Sequence, residues 1–477
     1  MNNVLGGYYV NEPTWFYLSF LLIVAVFFKF NRLWSVRNLD LVLLLLISPG
    51  LLIVPLQPEV GYAWLFATSA LLLARLLADG VFVRRPKFEQ NMNAAGMLFL
   101  CAASFTFLTT KILTEPPPAS TVAAIRRANQ LLSREAALPA VNSQDSSAET
   151  GPGSPLITAP VVHLSQAMAA GESSSAVTPL ELEQIAARTT AILAHLAVIL
   201  GLVMVGRNIY GDTQLGVAMA ALYVLLPCTV FDVGKVNHVL PAALTVWAVF
   251  AYRKPIVAGT LLGSACGTLF FPLFLLPLWA SFYDRRGAIR FGTAVCLVTA
   301  VMIGSLALTS PDTTAFFRQS LGYIEWAELQ FRGSDTSSGF WSDHEGAYRI
   351  PVFAAFVVML VALTIWPRKK TLTHVIAHSA AIVVATQFWY PQQGGVYVLW
   401  YLPLMLLVVF RPAILNQSAP EVQPFDWLRP LQRRASPAQP QQQLAHINEP
   451  GSSFHGGATS QNFTASQRIN LRRAGAG

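Results

Sequence analysis

The feature that most constrains this chain is a series of long apolar runs with almost no charge in them. They lie at residues 15–30, 39–56, 62–83, 93–113, 187–205, 215–231, 239–252, 256–283, 289–308, 351–366, 373–389 and 396–410. A helix needs about 20 such residues to cross the hydrocarbon core of a bilayer. No water is available there to satisfy a backbone, so only helices and closed barrels cross it, and continuous runs do not fit the alternating pattern of a barrel. Composition agrees, with 54% of residues hydrophobic and 12% charged, roughly half the charged share of a soluble domain. Polar atoms are too few to cover a water-facing surface. The expected fold is all-α, a polytopic transmembrane helical bundle of about 12–13 membrane segments.

Charge predicts the topology. The formal net charge is +8, and the excess sits mostly in short loops between apolar runs, which reads as a topology signal and not as a nucleic-acid surface. Residues 1–14 carry no positive charge, so the first run is expected to stay in the membrane and not to be cleaved as a signal. Lys29, Arg32 and Arg37 follow that run, and Arg84, Arg85 and Lys87 follow the third. The rule that basic loops stay inside then places the N-terminus outside and the C-terminal tail in the cytoplasm. The run 256–283 has basic residues at both ends, Arg253 and Lys254 before it and Arg285, Arg286 and Arg290 after it. A single crossing would strand the second cluster and all later ones outside. A cytoplasmic-side helical hairpin breaking near Phe271 and Pro272 avoids this, since short half-helices are tolerated where other helices bury them.

The expected organisation is a four-helix membrane region at 1–113, an outer loop at 114–186, a membrane core at 187–411 with a second outer loop at 309–349, and a disordered cytoplasmic tail at 412–477. The Ser-, Ala-, Gly- and Pro-rich stretch 140–175 predicts disorder within the first loop. Before it, Val122, Ile125, Leu131 and Leu132 share a helical face while Arg126, Arg127 and Arg134 fall elsewhere. That pattern fits an interfacial amphipathic helix or an ordinary linker helix. Cys101, Cys228, Cys266 and Cys296 lie inside apolar runs without CxxC spacing, as packing thiols do.

Three segments stand out together. The first has Arg188, an apolar helix, the turn Gly206-Arg207 with Tyr210-Gly211, a second apolar helix and Pro227. The second has Gly234-Lys235-Val236-Asn237, then Arg253-Lys254-Pro255, Ala258-Gly259, Gly263, Pro272 and Arg285-Arg286. The third is the aromatic and proline stretch from Tyr397 to Pro403. Together they resemble lipid-linked-sugar glycosyltransferases of the GT-C superfamily, in particular bacterial mannosyl- and arabinosyltransferase types. Lys235 stands where the family has glutamine, and Phe270 or Phe271 where it has lysine. The family's catalytic aspartate comes early in the first outer loop, where this chain has Thr114-Glu115-Pro116.

The resemblance implies a GT-C-like bundle and a sugar moved from a polyprenyl-phosphate donor to an envelope glycan, lipid or protein acceptor at the outer face. Such chemistry needs a carboxylate to take the acceptor hydroxyl's proton. It also needs cations or amides on the same face to hold the leaving phosphate. The catalytic candidates are Glu115, by its place after a membrane helix, and Asp343 and Glu345, which flank His344 in the second outer loop. Asp232, Lys235, Asn237 and His238, crowded into one turn at a membrane boundary, are candidate substrate-binding groups. So are Arg188, Arg332 and Arg349.

His195, His374 and His378 read as interhelical hydrogen-bond groups. Gly259, Gly263 and Gly267, four residues apart, read as tight helix packing. No metal-ligand set or cofactor motif is read, and the metal requirement stays open. Membrane lipid, the polyprenyl-phosphate sugar and an envelope acceptor are the expected partners. The alternatives are a non-catalytic relative of these enzymes and a transporter or lipid-handling protein. The latter lacks the duplicated halves and paired broken helices such proteins show.

Overall fold

A computed structural model describes residues 12–81, 90–133, 151–171, 178–309, 313, 316, 339–342, 344–412 and 417–420. Among them the chain is helical, and its one β-type pairing is an isolated bridge between Thr371 and Ser418. The helices are α1 (Glu12–Phe27), α2 (Val36–Ile53), α3 (Pro58–Leu77), α4 (Ala94–Thr114), α5 (Ala119–Ser133), α6 (Ser154–Gly171), α7 (Pro179–Asn208) and α8 (Thr213–Leu225). They continue as α9 (Pro227–Phe231), α10 (Val236–Phe250), α11 (Pro255–Thr268), α12 (Leu276–Phe282), α13 (Arg285–Thr309), α14 (Arg349–Ile365), α15 (Leu372–Trp389) and α16 (Val398–Val409). Seven are long and apolar enough to cross a bilayer, and six shorter apolar helices stand with them. The chain is an all-α, multi-pass membrane protein, as its apolar runs predict.

Local signals start these helices. Ser35 accepts from the Asn38 amide at 3.2 Å and Asn93 from that of Gly96 at 2.8 Å. Thr178 and Glu181 form a capping box at the start of α7. Each satisfies amides that a first turn leaves without intrahelical partners. Proline at the first position of α3, α7, α9 and α11 costs no hydrogen bond there.

Short helices occupy the centre. At about 1.5 Å per residue a helix the length of α16 falls well short of the bilayer core. Every residue of α16 is buried, as are most of α8, α10 and α15. These helices meet protein and not lipid. By contrast α13 and α14 bury little of their length and present continuous apolar surfaces outward, as lipid-facing helices do.

The segment 256–283 is a hairpin. α11 ends at Thr268, Pro272 opens the 3-10 turn Phe271–Leu275, and α12 runs back. The Tyr283 hydroxyl donates to the Tyr252 carbonyl at 2.9 Å, so both ends of the segment lie side by side. α13 then runs parallel to α11, held by the small residues. The backbone at Gly259 faces Phe291 and Ala294, and a Cβ at Gly263 would sit 3.3 Å from the Val295 Cα. The four-residue glycine spacing is helix packing.

One expectation needs adjustment. Within the stretch 140–175 read as disordered, residues 154–171 form α6, which packs on α5 and α7. Ile125, Ala128, Ala159, Val162, Ala186 and Ala187 make a small core among the three. Small residues that look like linker composition here allow close helix approach. Residues 140–150 and 172–175 of that stretch lie outside the described residues, as does the tail beyond residue 420.

The N-terminal helices are built into the bundle: α4 packs on α8 and α3 on α15. Arg75 binds Asp40 through Nε at 2.6 Å and Nη2 at 2.9 Å, and Asp79 through Nη1 at 3.2 Å. Arg411, just past α16, reaches Asp79 at 2.8 Å. This buried ionic chain ties α2 and α3 to the end of the last helix.

Candidate active site

A cleft forms at the opposite end of the bundle, where α4 ends. Glu115 caps α4 in an extended conformation, and three prolines, Pro116 to Pro118, force the chain away from the helix axis. Facing them is the turn between α9 and α10. The Lys235 amide donates to the Asp232 carbonyl at 3.1 Å and closes it. Gly234 lies so near Pro118 that a Cβ would sit 2.9 Å from the proline Cδ. Thr121 of α5 donates its hydroxyl to the Gly234 carbonyl at 3.2 Å. The proline wall and the turn are therefore fitted to each other.

The cleft has a volume of about 100 Å³ and is lined by Ile112, Glu115, Pro116, Pro117, Pro118, Ala187, Arg188, Ala191, Phe231, Asp232, Val233, Gly234 and Lys235. Four of the sequence candidates thus meet: Glu115, Arg188, Asp232 and Lys235. Arg188 donates from Nη2 to the Glu115 carbonyl at 3.2 Å, fixing the backbone of that residue while leaving its carboxylate for other partners. Lys111, one turn earlier on α4, lies 3.5 Å from a Glu115 carboxylate oxygen. Lys235 and Asp232 pair at 3.0 Å.

Electrostatics in the cleft are balanced. Asp232 is 8% exposed. Burial pushes its carboxyl above the ordinary carboxylate range, and Lys235, then Lys111, pull it back down. Two carboxylates, Glu115 and Asp232, and two cations, Arg188 and Lys235, line one small opening, with Lys111 behind Glu115. The arrangement can take a proton and hold an anion within a few ångströms.

Other candidates lie elsewhere. Asn237 lines a separate small cavity between α5, α6 and α10. His238 is buried among aromatic rings, 5.2 Å from Tyr397 and 5.7 Å from Trp400 by ring centres. Arg349, buried, donates to the Trp389 carbonyl at 2.9 Å and so braces the end of α15. Glu345 is exposed, precedes a 3-10 turn and lines no part of the cleft. Asp343 and Arg332 lie outside the described residues. Aromatic rings continue from His238 through Trp400 and Phe270 to Trp389, so the hairpin tip reaches this same end of the bundle.

Sequence reasoning missed Lys111, whose signal is its four-residue spacing from Glu115 on a helix. The histidine readings differ in outcome. His195 bonds across helices, to the Tyr223 hydroxyl at 2.9 Å and the Val233 carbonyl at 3.0 Å. His374 instead turns back to Thr371 at the start of its own helix. Among the described residues no group of three His, Cys, Asp or Glu side chains gathers in metal-binding geometry.

No curated protein matches the chain. Residues 175–389 match a family model, Glycosyltransferase family 87. The matched stretch carries Arg188, Asp232 and Lys235, the hairpin and α13 to α15, while Lys111 of α4 and Glu115, its C-cap, lie outside it. The resemblance to GT-C-type glycosyltransferases thus holds at the level of a family: from just before α7 to the end of α15, this multi-pass membrane protein is similar to glycosyltransferase family 87.

Proposed function

We propose that the protein transfers a sugar from a polyprenyl-phosphate donor to an envelope glycan, lipid or protein acceptor at the outer face of a bacterial inner membrane. The observation that carries this reading is the meeting of Glu115, Arg188, Asp232 and Lys235 around one cleft at a bundle end. Glu115 takes the proton of the acceptor hydroxyl as that oxygen bonds to the sugar's anomeric carbon. The bond from that carbon to the phosphate oxygen breaks, and its electron pair leaves with the lipid phosphate. Arg188 and Lys235 hold that phosphate as its charge grows, with Lys111 adding to the field. Asp232 orients Lys235.

The N-terminus lies outside and the tail inside in this reading. Its support is the basic residues Arg207 and Arg253, at the far ends of helices that start beside the cleft, and Arg411, whose segment packs near Tyr210, with Arg368 in a further basic loop. Asp343 and Glu345 are the alternative bases.

Membranes holding the protein, incubated with labelled polyprenyl-phosphate sugars, test the reading directly. Protein-dependent loss of label from one donor is the expected result. No transfer from any donor, with the protein folded and abundant, would leave the non-catalytic or lipid-handling alternatives. Glu115→Gln abolishing transfer while Glu345→Gln and Asp343→Asn spare it would assign the base.

A further inference from the structure

His195 lies in α7, two turns beyond Arg188, and is fully buried. It does not itself line the cleft, and among the described residues no charged side chain lies at hydrogen-bond distance from it. Its two ring nitrogens nevertheless have defined partners. A carbonyl only accepts, so the 3.0 Å contact between Nε2 and the Val233 oxygen requires the proton on Nε2. Nδ1 is then the acceptor, and the Tyr223 hydroxyl donates to it at 2.9 Å. Thr229 ties the same region together, donating to the Tyr223 carbonyl at 2.6 Å. Val233 sits between Asp232 and Lys235. Thr121 holds the next carbonyl, that of Gly234, from the other side. The charged turn is gripped by two side chains from two helices, and only His195 comes from the helix that carries Arg188.

We propose that His195 is a positioning residue of the cleft: held as its neutral Nε2–H form by Tyr223, it clamps the Val233 carbonyl and so sets the Asp232–Lys235 pair against Arg188. The geometric part stands by itself, and its catalytic consequence rests on the function proposed above.

The test compares His195→Leu, which loses the donor, with His195→Gln, whose amide nitrogen falls near the Nε2 position. Acetylation of Lys235 by an amine-reactive reagent in membranes is followed by peptide mass spectrometry, with Lys254 as internal reference. His195→Leu is expected to speed Lys235 labelling about five-fold, the change that losing one buried hydrogen bond produces, while His195→Gln stays near wild type. In the transfer assay His195→Leu lowers kcat more than it raises KM, and glutamine restores it. Should the leucine variant not fold, His195→Asn replaces it, because its shorter amide does not reach Val233. Unchanged Lys235 labelling in a folded leucine or asparagine variant overturns the proposal, whatever happens to transfer. Altered labelling with no transfer from any donor overturns the glycosyltransferase reading and leaves the positioning role standing.

Discussion

Glu115 and Asp232 are two carboxylates in one cleft with different surroundings. Glu115 is partly exposed and backed by Lys111, whereas Asp232 is buried and held by Lys235. If Glu115 is the base, Glu115→Gln should lower kcat by about 10²–10⁴-fold with little change in expression or melting temperature. Asp232 should show in the pH profile. Its carboxyl is raised by burial, so the acid limb of transfer should lie on the alkaline side of an ordinary carboxylate. Lys235→Met removes the largest effect opposing that rise, so the limb should move further alkaline, and a limb that stays put would mean Asp232 does not set it. The linked stability has a definite sign. Folded Asp232 holds its proton better than the unfolded residue does. Its contribution is therefore full below the usual carboxylate range and lost as pH climbs through the raised value. The candidates Glu115, Arg188, Asp232 and Lys235 were legible because each is a charged group beside an apolar run, where charge is costly unless used. Glu345 and Arg349 satisfied the same criterion, yet one is solvated and the other braces a helix end. Sequence proximity to the membrane does not tell these cases apart.

Among the elements, the hairpin shows how a charge pattern becomes geometry. Basic residues at both ends of 256–283 demanded an even number of passes, and Pro272 supplied the break. What the charges do not specify is that the tip packs Phe270 and Phe271 against Trp400, joining the hairpin to the cleft end of the bundle. Gly259→Val should separate α11 from α13, since its side chain would meet the Phe291 backbone. A loss of about 1–3 kcal/mol, typical of overpacking, is expected as a lower melting temperature in detergent. An unchanged melting temperature would show that the helix pair yields. α6 was hidden for the reason that the glycines were not: its alanines and serines have low apolar contrast, and only α5 and α7 beside it give it a face to bury.

For the whole molecule, the Asp40–Arg75–Asp79–Arg411 chain makes the N-terminal helices part of one fold. Arg75→Met would take the guanidinium from the buried Asp40 carboxylate and leave Asp79 with Arg411, and removing one member of a buried ion pair costs about 3–5 kcal/mol. Poor recovery of folded protein, measured by size-exclusion chromatography in mild detergent, is the expected outcome. Wild-type behaviour would mean that α2 and α3 are held by apolar packing alone.

The sequence by itself determined that the chain is a helical membrane protein and where its passes lie, because burial in lipid imposes length and apolarity on each segment independently. It also determined the even-pass hairpin, since charge near a membrane is counted loop by loop. Only the tertiary structure decided which polar groups share a site. Glu115 and Lys235 are far apart along the chain, and their meeting depends on Gly234 fitting Pro118 and on α7 carrying Arg188 and His195 to the same turn. Contacts of that kind arise from the shapes of packed surfaces, which no single segment encodes.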